Sequence, residues 1–222
     1  MQTSGVIFDV DGTLVDSYGP HYESWKMAAV QEGVTFTPEQ FRKAFGLTSR
    51  DIIKRLWAHD VTESQILAID DIKERAYRGI AAVNFPAMDG AEELLKMLHS
   101  HGFKLGIGSS GPKENVDLAV RKLAAENLLD AVISGSDVSR AKPDPEIFLT
   151  AAANMRILPQ RCVVVEDSTI GIRAAHAAGM KCIGIMSTGH LIEELKNADQ
   201  VIDSLREITP EMLRHLIGVK EV

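Results

Sequence analysis

Cysteine is almost missing from this chain. Cys162 and Cys182 are the only two among 222 residues, and each lies inside an apolar run. Buried free thiols in a reducing compartment are expected, rather than a disulfide framework. An excess of basic residues is missing as well, the net charge being −7. Nucleic acid and anionic membranes both need a clustered basic face, so neither partner is expected, and any phosphate ligand must be held by local positive charge. No apolar stretch approaches the roughly 20 residues of a membrane span. The few residues ahead of the first apolar run leave no room for a secretory signal, and a cytoplasmic protein is expected. Internal repeats and low-complexity segments are also lacking.

The chain is long for one compact unit and short for two, which predicts a core with one inserted subdomain. Its first apolar run, Val6-Ile7-Phe8, ends in Asp9 and Asp11, followed by Gly12-Thr13. This reads as a buried strand that delivers two carboxylates to the loop at its carboxyl end. A parallel sheet collects ligands at that edge, and paired carboxylates suit a hard cation such as Mg²⁺. A loop that uses Asp for turn chemistry accounts for the same letters.

After Ser17 the pattern turns helical as far as about Val83. Thr37-Pro38-Glu39-Gln40 and Thr62-Glu63-Ser64-Gln65 both match the capping box in which Thr opens a helix and Gln reaches back. Four helices are expected, about 18–32, 38–45, 49–59 and 63–82, with no strand among them. From Asn84 onward the chain alternates. An amphipathic helix built on Ala91, Leu94, Leu95 and Leu98 stops at Gly102. Strands follow at 104–108, 131–134, 162–166 and 181–185. Between them lie helices at 114–126, at 145–154 with Asp144 as N-cap, and at 170–178 closed by Gly179; Thr209-Pro210-Glu211 opens a last one. Such alternation predicts an α/β fold with a mainly parallel sheet and helices on both faces.

Three further stretches carry chemistry. Ser109-Ser110-Gly111 lies between a strand and a helix, where hydroxyls and free N–H groups form an anion site, although Ser is also a common N-cap. Lys142 precedes Pro143, which pushes it into extended backbone and so fixes its placement better than a helical face would, although a lone Lys is more commonly a solvated charge. Val163-Val164-Val165 ends in Glu166 and Asp167. Two adjacent acids there are costly without a cation or hydrogen-bond donors, with helix capping by Asp167 as the plainer account.

Taken together, Asp9-Val10-Asp11-Gly12-Thr13-Leu14-Val15-Asp16-Ser17, the Ser109 stretch, Lys142-Pro143-Asp144-Pro145-Glu146-Ile147-Phe148 and Glu166-Asp167-Ser168 resemble, in order, the four motifs of the haloacid dehalogenase superfamily. The branch they resemble is that of small phosphatases and phosphohexomutases similar to beta-phosphoglucomutase. The resemblance implies a Rossmann-like core at 1–16 and 84–222, with a helical cap domain inserted at 17–83. It implies an Asp9 nucleophile that forms an aspartyl-phosphate, Asp11 as general acid and base, and phosphate binding by Thr13, Ser109, Ser110 and Lys142. It also implies a Mg²⁺ site of Asp9, the Asp11 carbonyl and Asp167, with Glu166 acting directly or through water. His21, Trp25, Arg50 and Lys73 resemble cap positions that recognise sugar phosphates in beta-phosphoglucomutases; core packing for Trp25 and a solvated face for Arg50 and Lys73 account for them equally. Thr13 and the loop after Ser109 depart from the mutases. A monomeric Mg²⁺-dependent phosphatase of a small phosphorylated metabolite, a sugar phosphate, is therefore expected, with a sugar-phosphate mutase as the alternative. A metal-free dehalogenase would not need Asp11, and a non-catalytic sensor could dispense with the acids that are all present.

Overall fold

The computed structural model describes residues 3–45, 47–57, 61–189 and 191–218. The chain divides into two compact units, Met1–Asp16 with Ala87–Val222, and Ser17–Pro86.

The first unit is built on six strands in one sheet: β1 (Gly5–Phe8), β2 (Lys104–Gly108), β3 (Ala131–Ile133), β4 (Cys162–Glu166), β5 (Lys181–Ile185) and β6 (Gln200–Ile202). Their order is β3-β2-β1-β4-β5-β6, and every neighbouring pair is parallel. The chain steps outward from β1 to β2 and β3, then returns to the other side of β1 for β4. That reversal is a topological switch point, where a parallel sheet opens a crevice beyond its strand ends. Register makes the crevice useful. Phe8 is level with Ile107 on one side and Val165 on the other, so the residues that follow each strand leave the sheet at neighbouring points.

β1 is buried along its whole length, as a strand covered on both faces must be. Strand β6 escapes the sequence reading because it has three residues, of which only Ile202 is buried. Helices α1 to α4 belong to the second unit and are described below. In the first unit, α5 (Ala91–Ser100), α6 (Lys113–Lys122), α7 (Glu146–Met155), α8 (Thr169–Ala177) and α9 (Pro210–Leu216) are present. Helix α6 ends four residues short of the expected Glu126, and Ala124 just beyond it takes a left-handed conformation with φ 49°. Asp144 is not the residue bounding α7, which is Pro145; its carboxylate nevertheless accepts the Glu146 N–H at 3.0 Å. Phe148 on α7 packs so closely on β2 that a Cβ at Gly108 would lie 2.9 Å from its ring. Cys162 and Cys182 are free and buried in this core, and burial pushes the Cys162 thiol up to about 12.

The second unit holds α1 (Tyr18–Gln31), α2 (Pro38–Ala44), α3 (Ser49–Leu56) and α4 (Glu63–Val83). Residues 58–59 of the expected third helix lie outside the described residues. Both capping boxes form: Thr37 and Gln40 exchange bonds of 2.8 and 3.2 Å, as do Thr62 and Gln65 at 2.8 and 3.3 Å. Trp25, Phe36, Phe41, Ile52, Ile53, Trp57, Ile66 and Ile69 make its core, with the rings of Trp25 and Trp57 5.9 Å apart. Among the described residues no helix is long and apolar enough to cross a membrane.

Trp25 is 2% exposed, so truncating it opens a cavity that the surrounding rings can only partly fill. Trp25→Ala should lower the unfolding free energy by about 3–5 kcal/mol, and Trp25→Phe by clearly less, in chemical denaturation followed by circular dichroism. Equal stability of Trp25→Ala and the parent protein would show that this core has been wrongly identified.

Candidate active site

The loops that leave β1, β2 and β4 bring the acidic motifs together. Asp9 follows the last residue of β1 and donates its backbone N–H to Val165 O at 3.0 Å, which extends the ladder by one residue. Glu166 ends β4, and Asp167 comes next. Ligand oxygens of Asp9, Glu166 and Asp167 lie within 4.8 Å of one another, and all three residues are buried.

Lys142 enters this cluster from the loop before α7. Its ammonium donates to Asp9 Oδ1 at 2.6 Å and to Glu166 Oε1 at 2.7 Å, and it stands 4.8 Å from the centroid of the Phe148 ring. Burial alone would depress the ammonium, but the charges of Asp9 and Glu166 outweigh it and hold the Lys142 pKa above its ordinary value. The carboxylates are less well served. Burial drives the Asp9 carboxyl well above the usual range against the pull of Lys142, and the charges of Glu166 and Asp167 add to the rise. Burial raises Asp167 too, reinforced by Glu166 and opposed by a hydrogen bond from Ser187.

Three carboxylates against one ammonium leave buried negative charge, which is unfavourable unless a further cation balances it. The donors are all oxygen, the ligand type of hard divalent cations. The residues present therefore fit a bound divalent cation at Asp9 and Asp167.

Two glycines make room for this arrangement. Gly12 has φ 80°, and a Cβ there would sit 1.8 Å from Asp167 Oδ2; a Cβ at Gly171 would sit 1.8 Å from Glu166 Oε1. Glu166 is held further by Ser168, whose N–H and hydroxyl both donate to Oε2 at 2.8 Å. Ser168, not Asp167, caps α8, through its Oγ and the Gly171 N–H, so capping does not explain Asp167. Ser109 does not cap α6 either, a place taken by Pro112. Its buried Oγ accepts from Gly111 N–H at 3.1 Å. The space beside Gly111 is shared by Ser109 Oγ and Asp11 Oδ2, at 3.3 and 3.4 Å from an ideal Cβ. Thr13 is fully buried, and its Oγ1 has no hydrogen-bond partner. Ser110 is exposed.

The helical unit holds the remaining candidates. Lys73 is buried, paired with Glu74 at 2.6 Å, and lies over the rings of Trp25 and Tyr77 at 5.4 and 5.6 Å. That excludes a solvated face for Lys73. His21 stacks on Tyr77 with centroids 4.2 Å apart. Arg50 does occupy a solvated face, with Glu63 as its partner. Trp25 is 2% exposed and packs in the core of this unit, as the core reading expects. Ser168, Gly171 and Ser187 were missed. Ser168 carried a readable signal as a Ser ahead of a helix; the other two are recognisable only by what they meet in space.

The model of the haloacid dehalogenase-like hydrolase family matches residues 6–185. Validoxylamine A 7'-phosphate phosphatase of Streptomyces hygroscopicus subsp. limoneus is 34% identical over 91% of this chain and 94% of its own length. Beta-phosphoglucomutase of Bacillus subtilis is 28% identical over 94% of this chain and 92% of its own. Among solved structures, a family IA, variant 3 HAD hydrolase from Entamoeba histolytica superposes with a TM-score of 0.89 at 27% identity, covering 97% of this chain and 100% of that one.

Folding raises the proton affinity of Asp9 and Asp167 above the ordinary aspartate value of 3.8. The cation-free protein should therefore lose stability as pH climbs from that value through their folded pKa values, because the unfolded chain releases those protons first. A divalent cation competes with the same protons, so its stabilising effect should grow with pH across that window. At a hundredfold excess over Kd it amounts to about 2.7 kcal/mol. Thermal melts with Mg²⁺ or chelator at several pH values check this; a Mg²⁺ effect that shrinks as pH rises contradicts it.

Proposed function

The chain belongs to the haloacid dehalogenase-like hydrolases, and within that family we propose a Mg²⁺-dependent phosphatase of a small phosphorylated metabolite of the sugar-phosphate class. The observation that carries this reading is the Lys142 ammonium held between Asp9 and Glu166, beside Asp167, at the switch point of the parallel sheet. The validoxylamine 7'-phosphate phosphatase, a relative that covers nearly the whole chain, supports the choice of a phosphatase.

In this reading Asp9 attacks phosphorus, the bond from phosphorus to the leaving oxygen breaks, and Asp11 gives that oxygen a proton. Asp11 then takes a proton from water as the water attacks the aspartyl-phosphate, which releases phosphate and restores Asp9. Two anions must meet in the first step, and Coulomb repulsion opposes them. Lys142 reduces that repulsion from the Asp9 side. Bound Mg²⁺, held by Asp9, the Asp11 carbonyl and Asp167, would neutralise further charge on the phosphate. Ser109 beside Asp11, and the orphaned Thr13 hydroxyl, supply donors to the phosphoryl oxygens. Ser187 and Ser168 hold the acids in place. The helical unit serves as the cap domain, and His21, Arg50 and Lys73 select the rest of the substrate. The two buried thiols fit a cytoplasmic protein.

A sugar-phosphate mutase is the second reading, favoured by the beta-phosphoglucomutase relative that covers 94% of this chain. Thr13 and the Ser109-Ser110-Gly111-Pro112 loop, which depart from the mutase pattern, favour water as the acceptor. Phosphate release from a panel of phosphorylated sugars should exceed any isomerisation. With beta-glucose 1-phosphate and a trace of the bisphosphate, glucose 6-phosphate as the dominant product would establish the mutase instead. Asp9→Asn should lower turnover by about 10⁴-fold or more with the native circular dichroism spectrum retained. Turnover near the parent level in that variant would remove the covalent route.

A further inference from the structure

We propose that Ser187 is a positioning residue for the cation site: its hydroxyl fixes the rotation of the Asp167 carboxylate and so sets the affinity for the divalent cation. This rests on the reading above, in which Asp167 is a cation ligand. Ser187 lies outside all four motifs, in the loop that follows β5. Its Oγ donates to Asp167 Oδ2 at 2.7 Å. The same carboxylate oxygen faces Gly12, where a Cβ would lie 1.8 Å from Oδ2 and 3.2 Å from Ser187 Oγ. Asp167 Oδ2 is thus enclosed between a glycine that has no side chain and a hydroxyl that donates to it.

The constraint has a physical purpose. An aspartate's terminal torsion is broad and nearly two-fold, so an untethered Asp167 would distribute its oxygens over many orientations. Cation binding would then have to order it. A hydroxyl bond to one oxygen removes that freedom before the cation arrives, as partners of ligating carboxylates do in other metal sites. Ser187 is itself placed by the sheet. The β5–β6 ladder continues one step past β5, where Met186 N–H donates to Ile202 O at 2.9 Å, and Ser187 is the next residue. Further along, the loop is tied to the start of α8 by Thr169 Oγ1, which donates to Glu194 O at 2.9 Å. The hydroxyl therefore follows directly on the last bond of the ladder.

The test is cation binding without substrate. Mn²⁺ affinity would be measured by electron paramagnetic resonance of the free ion, and Mg²⁺ by displacement, on the parent protein and on Ser187→Ala, Ser187→Thr and Thr188→Ala. Thr188 is an exposed neighbour and serves as the control. Ser187→Ala should weaken Mn²⁺ and Mg²⁺ binding by about 10-fold or more, with the native circular dichroism spectrum retained. In turnover it should raise the Mg²⁺ concentration needed for half-activation by a similar factor, with most of kcat regained at saturating Mg²⁺. Ser187→Thr keeps the hydroxyl and should restore binding; Thr188→Ala should match the parent. Parent-like Mn²⁺ affinity in Ser187→Ala would overturn the inference while leaving the cation site intact. If the parent protein and Asp167→Ala bind Mn²⁺ equally, the cation reading fails, and the role of Ser187 fails with it.

Discussion

Everything around the site follows from one electrostatic constraint, the gathering of three buried carboxylates about a single ammonium. Lys142 bridges Asp9 and Glu166 with two short bonds, and no arrangement of one lysine can neutralise three acids. The energy of such a cluster depends on geometry more than on composition, because a misplaced buried charge costs several kcal/mol and a well-placed partner recovers most of it. That is why hydrogen-bond donors crowd the cluster: Ser168 on Glu166 and Ser187 on Asp167. Each compensates part of the buried charge locally, and each also restricts where the acid can point.

The sheet does the coarse positioning. Central β1 shares its register with β2 and β4, so Asp9, Ser109 and Glu166 emerge from three adjacent strands without any long loop between them. A site built on strand ends inherits the rigidity of the ladder. Asp9 even keeps a ladder bond to Val165. The fine positioning falls to α7 and α8, whose first turns bring up Phe148 and Gly171. The tight contact of Phe148 with β2, where Gly108 leaves just enough room, fixes the helix that follows Lys142 and hence the reach of its side chain.

Much of this was legible in the letters because it is local. The strands at 104–108, 162–166 and 181–185 are short apolar runs bounded by turn residues, and both Thr-x-x-Gln boxes form as read. Acids at strand ends are legible for the same reason, and it takes the clustering of Asp9, Glu166 and Asp167 in space to separate a site from turn chemistry. What was not legible is either marginal or distant. Strand β6 buries a single side chain, too little to mark a period. The end of α6 is set by the backbone of Ala124 rather than by a Gly or Pro. Trp25, ambiguous on a helix face, is assigned to the core only once Trp57 and Phe36 are seen around it.

The glycines show where sequence reading stops. Gly12 reads as a turn residue, and its φ of 80° agrees; the contact with Asp167, far along the chain, is a second demand that no local pattern expresses. Gly171 has no unusual backbone at all, yet any Cβ there would collide with both oxygens of Glu166. Both positions exclude side chains where a carboxylate of the cluster must lie against the backbone. With Gly12 and Gly171 in place, Glu166 and Asp167 are confined before any ligand is present. Both oxygens of Glu166 already accept bonds from this chain, Oε1 from Lys142 and Oε2 from Ser168. Glu166 is thereby committed first to holding the ammonium, which leaves Asp9 and Asp167 as the acids with the most to gain from a cation. The division of labour among three chemically similar carboxylates is set by what each is packed against, and the two glycines decide the packing.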